Sequence, residues 1–230
     1  MKKILFLLLI VFVFSVDSFA EKVFFADGSR NKKEIALTFD DGPGYNTEEV
    51  LSILRLKKVK ATFFLLGESI ESKPYLVKEI AEDGHEIASH TYKHINFYKY
   101  KYKKTEDYNK LKDKISKNLL KNQRLIEKFA GYKPKLVRFP HGYMRQPALD
   151  VARENGYKVI NWSFGTDWNE FDSYEHLLGA YLEHAKPGTI FLMHDLKDNS
   201  LLVEMLPQLI DILQFVGYKF VTVSELLNFN

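Results

Sequence analysis

Short apolar runs rich in β-branched and aromatic residues alternate with helical patterns along most of this chain. Such runs are typical of strands that are buried on both faces of a parallel sheet. The predicted strands are near residues 35–39, 61–66, 86–89, 136–139, 158–162, 189–193 and 219–222. The predicted helices are near residues 47–56, 74–83, 107–129, 146–155, 174–184 and 201–216. The alternation predicts an α/β fold, a single-domain distorted (β/α) barrel with about seven parallel strands.

Residues 1–20 have the pattern of a secretory signal peptide. Lys2 and Lys3 precede an apolar run over 4–14, and Ser18 and Ala20 are small residues before a cleavage position. A retained membrane anchor is the alternative, but the run is shorter than the ~18 to 20 apolar residues that a spanning helix needs. We expect residues 21–230 to be one exported catalytic domain, periplasmic or extracellular, without a stable membrane anchor.

The composition narrows the class of protein further. The chain has no cysteine, so disulfide bonds are impossible and the core or a bound metal must stabilise it. Its 33 basic and 30 acidic residues give a formal net charge of only +3, which does not favour nucleic-acid binding. We expect a monomer.

One segment is unusually basic. Residues 99–128 contain eleven lysines or arginines and four acidic residues, and Tyr98, Tyr100, Tyr102 and Tyr108 lie beside or among them. A surface helix with a solvated basic side is the simpler interpretation, because apolar residues recur on one helical face of the same segment. A surface that meets an anionic cell-wall polymer is the functional alternative.

Two adjacent carboxylates, Asp40 and Asp41, follow the first predicted strand in the sequence TFDDGP. Neighbouring residues at a strand end point in different directions. One carboxylate can therefore bind a metal while the other faces the reacting water as a base. The structural alternative is an Asp-Asp-Gly-Pro turn with solvated carboxylates.

His90 and His94 follow the third predicted strand in the sequence SHTYKH. On a helical turn this spacing places both rings on one face, where they can present two nitrogen ligands to a zinc-like ion. Two imidazoles and one carboxylate leave a coordination position open for water, as a hydrolytic metal requires. Taken alone, the spacing is a weak indication of a metal site.

Ionisable residues also end two later strands, at Arg138 in RFPHG and at His194 in IFLMH. A salt bridge for the arginine and a hydrogen-bonded strand-end histidine are the structural alternatives. In a (β/α) barrel the carboxyl ends of the strands meet at one rim, and the active sites of barrel enzymes lie at that rim. We therefore expect these residues to share a rim with Asp40, Asp41 and His90.

In this order the motifs resemble those of the polysaccharide deacetylases of carbohydrate esterase family 4. The matching segments are TFDDGP at 38–43, SHTYKH at 89–94, RFPHG at 138–142, TDW at 166–168 and IFLMH at 190–194. The resemblance extends from about residue 33 to about residue 227. It implies a metal-dependent hydrolase that removes N-acetyl groups from an acetylated polysaccharide.

The resemblance also implies roles for individual residues. Asp41, His90 and His94 would hold a divalent metal, usually zinc. Asp40 would be the general base, and Arg138 would orient it.

The same resemblance implies a second catalytic pair and a substrate groove. His194 would be the general acid, and Asp167 would support it. Leu192 would line the acetyl pocket, and Trp168 would form a wall of the groove.

Two segments depart from the family pattern. Pro140 and His141 are the predicted oxyanion- and substrate-binding residues of the RFPHG segment. His141 stands where the family commonly has an aromatic residue, although its backbone N–H can still donate to an oxyanion. The segment 162–168 lacks the first aspartate of the family's DxxDW pattern and is one residue short. We expect both departures to alter contacts with the substrate.

Peptidoglycan is the expected substrate, because the signal peptide delivers the enzyme to it. A chitin-type polymer or surface poly-N-acetylglucosamine comes second, and an O-acetylated polysaccharide such as xylan third. A small-molecule amidase on the same fold is usually cytoplasmic, which the signal peptide disfavours. A non-catalytic glycan-binding protein would be expected to have lost Asp40 or His194, and both are present.

Overall fold

The computed structural model describes residues 22–196 and 199–229. The strands within these ranges are β1 (Phe24–Phe25), β2 (Glu34–Asp40), β3 (Thr62–Leu65), β4 (Glu86–Ser89), β5 (Leu136–Val137), β6 (Lys158–Ile160), β7 (Ile190–His194) and β8 (Lys219–Phe220). The α-helices are α1 (Thr47–Lys57), α2 (Gly67–Ser72), α3 (Pro74–Glu82), α4 (Thr105–Ala130), α5 (Gln146–Glu154), α6 (Tyr174–Glu183), α7 (Ser200–Phe215) and α8 (Val223–Leu226). The predicted signal peptide, residues 1–20, lies outside the described residues. None of the described helices is long and apolar enough to cross a membrane.

The strands form one parallel sheet in the order β1-β6-β5-β4-β3-β2-β7, with β8 beside β2. The register aligns the carboxyl ends of neighbouring strands. Asp40 at the end of β2 pairs with His194 at the end of β7, and Ser89 at the end of β4 pairs with Val137 of β5. The motifs that follow these strands therefore lie at one edge of the sheet, as predicted.

The sheet curves so that β7 meets the segment that follows β6. The backbone N–H of Ser163 donates to Ile190 O at 2.9 Å, and the N–H of Leu192 donates to Phe164 O at 2.9 Å. This irregular pairing joins β7, at one end of the sheet order, to the segment that follows β6 near the other end. The expected α/β fold, a distorted barrel of parallel strands with surrounding helices, is confirmed.

Strand β2 shows why the predicted strands are apolar throughout. Its residues Ile35, Leu37 and Phe39 are buried in the largest core cluster, which includes residues of α1, α3, α6 and α7. Ala36 is buried on the opposite face of β2, in a cluster that includes Phe64. Successive residues of a strand point to opposite faces, so a strand buried on both sides needs apolar residues at nearly every position.

Three elements have no clear pattern in the sequence: β1, α2 and α8. β1 and α8 are too short to show a period, and α2 begins with Gly67 and contains two serines, which favour helix only weakly. β6 ends at Ile160, before the predicted end at residue 162, and the carbonyl groups of Ile160 and Asn161 accept hydrogen bonds from the Arg138 side chain. The segment that follows β6 leaves the sheet and contributes Trp162 to the cleft described below.

Candidate active site

A cleft of about 380 Å³ opens at the carboxyl ends of the strands. It is lined by Asp40, Asp41, His90, His94, His141, Gly142, Trp162, Trp168, Leu192 and His194. The predicted metal ligands, base and acid line this cleft, and Arg138 and Asp167 lie directly behind Asp40 and His194.

Asp41, His90 and His94 form a cluster suited to one metal ion. One potential ligand atom from each residue lies within 4.8 Å of those of the other two. Asp41 Oδ1 is 3.4 Å from His90 Nε2 and 3.5 Å from His94 Nε2, and no described group donates a hydrogen bond to this buried oxygen. Two imidazole nitrogens and a carboxylate oxygen match the donor set of a catalytic zinc site, so the residues present fit a divalent metal.

The His90 ring is held in one orientation. Its Nδ1–H donates to the carbonyl oxygen of Arg138 at 2.7 Å, which leaves Nε2 unprotonated and facing Asp41. Burial lowers the pKa of His90 to about 3, despite the Asp41 charge that raises it. The neutral ring is the form that binds a metal.

The local structure around the two histidines differs from the expectation. Residues 90–94 form an irregular loop after β4, so the predicted helical turn is wrong. Thr91 has a φ of 68°, a left-handed conformation that interrupts any helix. The bend in the loop, and not helical spacing, brings His90 and His94 together, with ring centroids 5.3 Å apart.

Arg138 is fully buried and its guanidinium group binds the Asp40 carboxylate. Arg138 Nη1 donates to Asp40 Oδ1 at 2.6 Å and to Thr38 Oγ1 at 2.8 Å. The same side chain donates to the carbonyl oxygens of Ile160 and Asn161. Burial raises the pKa of Asp40, and the charge of Arg138 opposes this rise. The predicted contact between Arg138 and Asp40 is present.

His194 is tied to Asp167 on the other side of the cleft. Its Nδ1–H donates to Asp167 Oδ1 at 2.9 Å, and its backbone N–H donates to Asp167 Oδ2 at 2.7 Å. Burial lowers the pKa of His194, but the hydrogen bond and the charge of Asp167 outweigh it and raise the pKa to about 9. This shift favours the imidazolium form, the form that a general acid needs.

The remaining predicted residues lie around the opening of the cleft. Leu192 is buried in its floor, and Trp168 is 54% exposed, with its ring 5.5 Å from that of His194. His141 has a φ of 58° and packs against His94 at 4.5 Å between ring centroids. Pro140 is buried and begins the turn Pro140–Gly142, but it does not line the cleft.

Two features of the site have no role in the sequence interpretation. Trp162 lines the cleft, and Asp195 is fully buried behind the turn that carries Asp41. The Thr47 hydroxyl donates to Asp195 Oδ2 at 2.6 Å, and Gly42 packs so closely on this carboxylate that a Cβ would overlap it. Burial raises the pKa of Asp195 to about 7 against the hydrogen bond from Thr47. The only indication of Asp195 in the sequence is that it directly follows the predicted acid His194.

The chain matches the family described as "Polysaccharide deacetylase" over residues 27–160. It is 37% identical over 203 residues to a peptidoglycan-N-acetylglucosamine deacetylase of Bacillus cereus, covering 86% of this chain and 90% of that protein. It is 36% identical over 199 residues to the peptidoglycan-N-acetylglucosamine deacetylase PgdA of Listeria monocytogenes, covering 86% of this chain and 40% of that longer protein.

Solved structures show the same relationship. A peptidoglycan N-acetylglucosamine deacetylase in complex with 4-naphthalen-1-yl-N-oxidanyl-benzamide has a TM-score of 0.81 at 35% identity, covering 91% of this chain and 94% of that chain. A family 4 pseudoenzyme of Bacillus anthracis has a TM-score of 0.76 at 29% identity, covering 88% of this chain and 68% of that one. The resemblance seen in the motifs is confirmed, and the chain belongs to the polysaccharide deacetylase family of hydrolases.

Proposed function

We propose that this protein is an exported, metal-dependent deacetylase that removes N-acetyl groups from the amino sugars of peptidoglycan. The observation that supports this most directly is the arrangement of two supported proton-transfer groups around one cluster of metal-binding residues. Asp40 is paired with Arg138, and His194 is paired with Asp167, at the ends of the adjacent strands β2 and β7. A protein that only bound glycans would not need this matched acid and base.

Asp41, His90 and His94 would hold the metal, for which we propose Zn²⁺. When bound, such an ion supplies Lewis-acid polarisation of the acetyl carbonyl and lowers the pKa of a water. Asp40 takes the proton from the attacking water, and Arg138 holds the carboxylate in place through its 2.6 Å contact. Water adds to the carbonyl carbon.

Collapse of the tetrahedral species breaks the carbon–nitrogen bond. We propose that the backbone N–H of His141 donates to the oxyanion. His194 donates its proton to the departing nitrogen, and the Asp167 carboxylate stabilises the ring while it is charged. The products are acetate and a free amino sugar. Leu192, in the floor of the cleft, offers an apolar surface to the acetyl methyl group.

Peptidoglycan is favoured as the substrate by two independent observations. The relatives from Bacillus cereus and Listeria monocytogenes are peptidoglycan-N-acetylglucosamine deacetylases, and the N-terminal sequence has the pattern of a signal peptide. Chitin-type and O-acetylated polymers are the alternatives.

Purified peptidoglycan is incubated with the protein and then digested into muropeptides. Mass spectrometry of these muropeptides tests the reaction and the substrate together. The expected product is a glucosamine residue, formed from N-acetylglucosamine by replacement of the acetyl group with hydrogen. Asp40→Asn protein provides the matched inactive control. Unchanged muropeptides, with deacetylation of a chitin oligomer instead, would reject peptidoglycan as the substrate. Sequencing the N-terminus of the exported protein tests the cleavage after Ala20.

A further inference from the structure

Residues 98–104 alternate tyrosine and lysine and carry no acidic residue. We call them the tyrosine–lysine segment. Its four lysines are all exposed, and none has an ion-pair partner within the described part of the chain. They are Lys99, Lys101, Lys103 and Lys104. Neighbouring lysines behave differently, since Lys93 pairs with Glu68 and Lys112 pairs with Glu154. The segment therefore concentrates positive charge that no described residue neutralises.

This segment begins at the edge of the catalytic cleft. The Tyr98 hydroxyl donates to Gly142 O at 3.2 Å, and Gly142 lines the cleft. The Tyr98 ring packs edge-on against the buried Tyr143 at 4.8 Å, and the Arg145 guanidinium lies over the Tyr98 ring at 5.0 Å from its centroid. A polymer that extends out of the cleft past His141 would meet this segment next.

The segment begins with a capped turn and borders a second cavity. The Asn96 side chain accepts from the backbone N–H of Tyr98 at 3.0 Å and so caps the turn Phe97–Lys99. A second cavity, of about 240 Å³, opens where the segment meets α4. It is lined by Tyr100, Lys101, Asp107, Lys110, Leu111 and Lys114, three of them cationic and one acidic.

We propose that the tyrosine–lysine segment binds carboxylates of the same polymer strand whose acetylated sugar occupies the cleft. This inference rests on the proposed function and refines its substrate class: an anionic N-acetylated glycan is preferred over a neutral one. Peptidoglycan carries carboxylates on the peptides attached along its strand, whereas a chitin-type polymer carries none. Lysine ammonium groups attract such charges, and exposed tyrosine rings pack against sugars and peptide.

An anionic membrane is the other partner that basic and aromatic residues can suit. Membrane-binding segments bury a continuous apolar face in the lipid. The exposed side chains of this segment are lysines and tyrosines, and its apolar neighbour Phe97 is fully buried in the protein core. The attachment to the cleft through Tyr98 also favours the substrate strand itself.

A quadruple variant in which Lys99, Lys101, Lys103 and Lys104 become glutamine tests the proposal. The probes are peptidoglycan freed of teichoic acid and a neutral chitin oligomer. We expect kcat/KM for peptidoglycan to fall about tenfold relative to that for the oligomer, mainly through KM, since several weak exposed ion pairs are lost together. The difference should shrink at high salt, which screens exposed charges.

Two further variants make the test specific. Changing the four lysines to arginine keeps the charge and should restore the preference. Removing four exposed lysines elsewhere should leave it unchanged, and suitable residues are Lys32, Lys58, Lys78 and Lys128. Equal losses on both substrates, or no loss on peptidoglycan, would overturn the proposal.

Binding measured by co-sedimentation separates this proposal from the proposed function. The glutamine variant should bind insoluble peptidoglycan more weakly and insoluble chitin unchanged, whether or not either polymer is deacetylated. Lost binding to phosphatidylglycerol vesicles with unchanged binding to peptidoglycan would assign the segment to membranes and reject our inference. If the unaltered protein released no acetate, the proposed deacetylase function would be refuted, while the proposal that the segment binds peptidoglycan would still be decided by the binding measurement.

Discussion

The Arg138 guanidinium lies 2.6 Å from the Asp40 carboxylate, and both side chains are almost completely buried. Removing one member of a buried ion pair leaves the other without compensation, at a cost of about 3 kcal/mol or more. Arg138→Met should therefore destabilise the fold by this order of magnitude. Chemical denaturation measures the loss, and Arg153→Met, at an exposed ion pair, is the control.

The same variant should change the pH dependence. Arg138 lowers the pKa of Asp40 against the effect of burial, so its removal raises that pKa further. More of the base is then protonated, and the acidic limb of the pH–rate profile should move to higher pH. An unmoved limb in folded Arg138→Met protein would mean that Asp40 is not the base that this limb reports.

Asp40 and Asp41 are adjacent but should respond differently to the same substitution. Asp40→Asn should lower activity by ~10² to 10⁴-fold, as expected for a general base, while the metal content stays nearly unchanged. Asp41→Asn should lose the metal, because its carboxylate belongs to the ligand cluster. Elemental analysis measures the metal content of both variants. Loss of metal in Asp40→Asn alone would mean that Asp40 is the metal ligand and Asp41 the base.

Asp167 should control the alkaline limb of activity. The pKa of His194 is raised to about 9, so its acid form predominates at lower pH and activity should fall as the pH rises through this value. Asp167→Asn removes the negative charge and should move the limb to lower pH. The pair also stabilises the fold below the ordinary histidine pKa of about 6.5, an effect lost as the pH passes 9. Denaturation across this range provides the second measurement.

His141 should influence which glycan is preferred more than the rate of reaction. The proposed oxyanion contact uses its backbone N–H, which His141→Tyr retains. Turnover of a small acetylated sugar should stay within about tenfold, or ~1.4 kcal/mol of transition-state stabilisation. The ratio of rates on different glycans should change. If His141→Tyr lost activity on every substrate while metal and fold stayed intact, the His141 side chain would take part directly in the reaction.

Gly42 should tolerate no side chain. A Cβ there would overlap the buried Asp195 carboxylate, so Gly42→Ala should destabilise the protein by roughly 1 to 3 kcal/mol and weaken metal binding through the neighbouring Asp41. Gly179, within α6, has open space where a Cβ would lie. Gly179→Ala should be neutral or slightly stabilising, and equal effects at both positions would contradict this explanation.

The site residues that could be predicted from the sequence are those with ionisable or metal-binding side chains in recognisable motifs. Asp41 and His94 stand in recognisable motifs, and buried strands such as β2 have long apolar runs. The loop that brings His90 to His94 could not be predicted, because its path depends on the left-handed Thr91. Asp195 was missed as a packing residue, since its contact with Gly42 joins positions far apart in the chain.

Arg138 contributes to the site in two separable ways. Its carbonyl oxygen receives the His90 Nδ1–H, while its side chain holds Asp40. Every amino acid supplies that carbonyl, so the orientation of the proposed metal ligand His90 does not depend on which residue occupies position 138. A single substitution there could silence the base while the ligand geometry persists, provided the fold survives. The site thus contains a short mutational route from an enzyme to a metal-carrying binding protein.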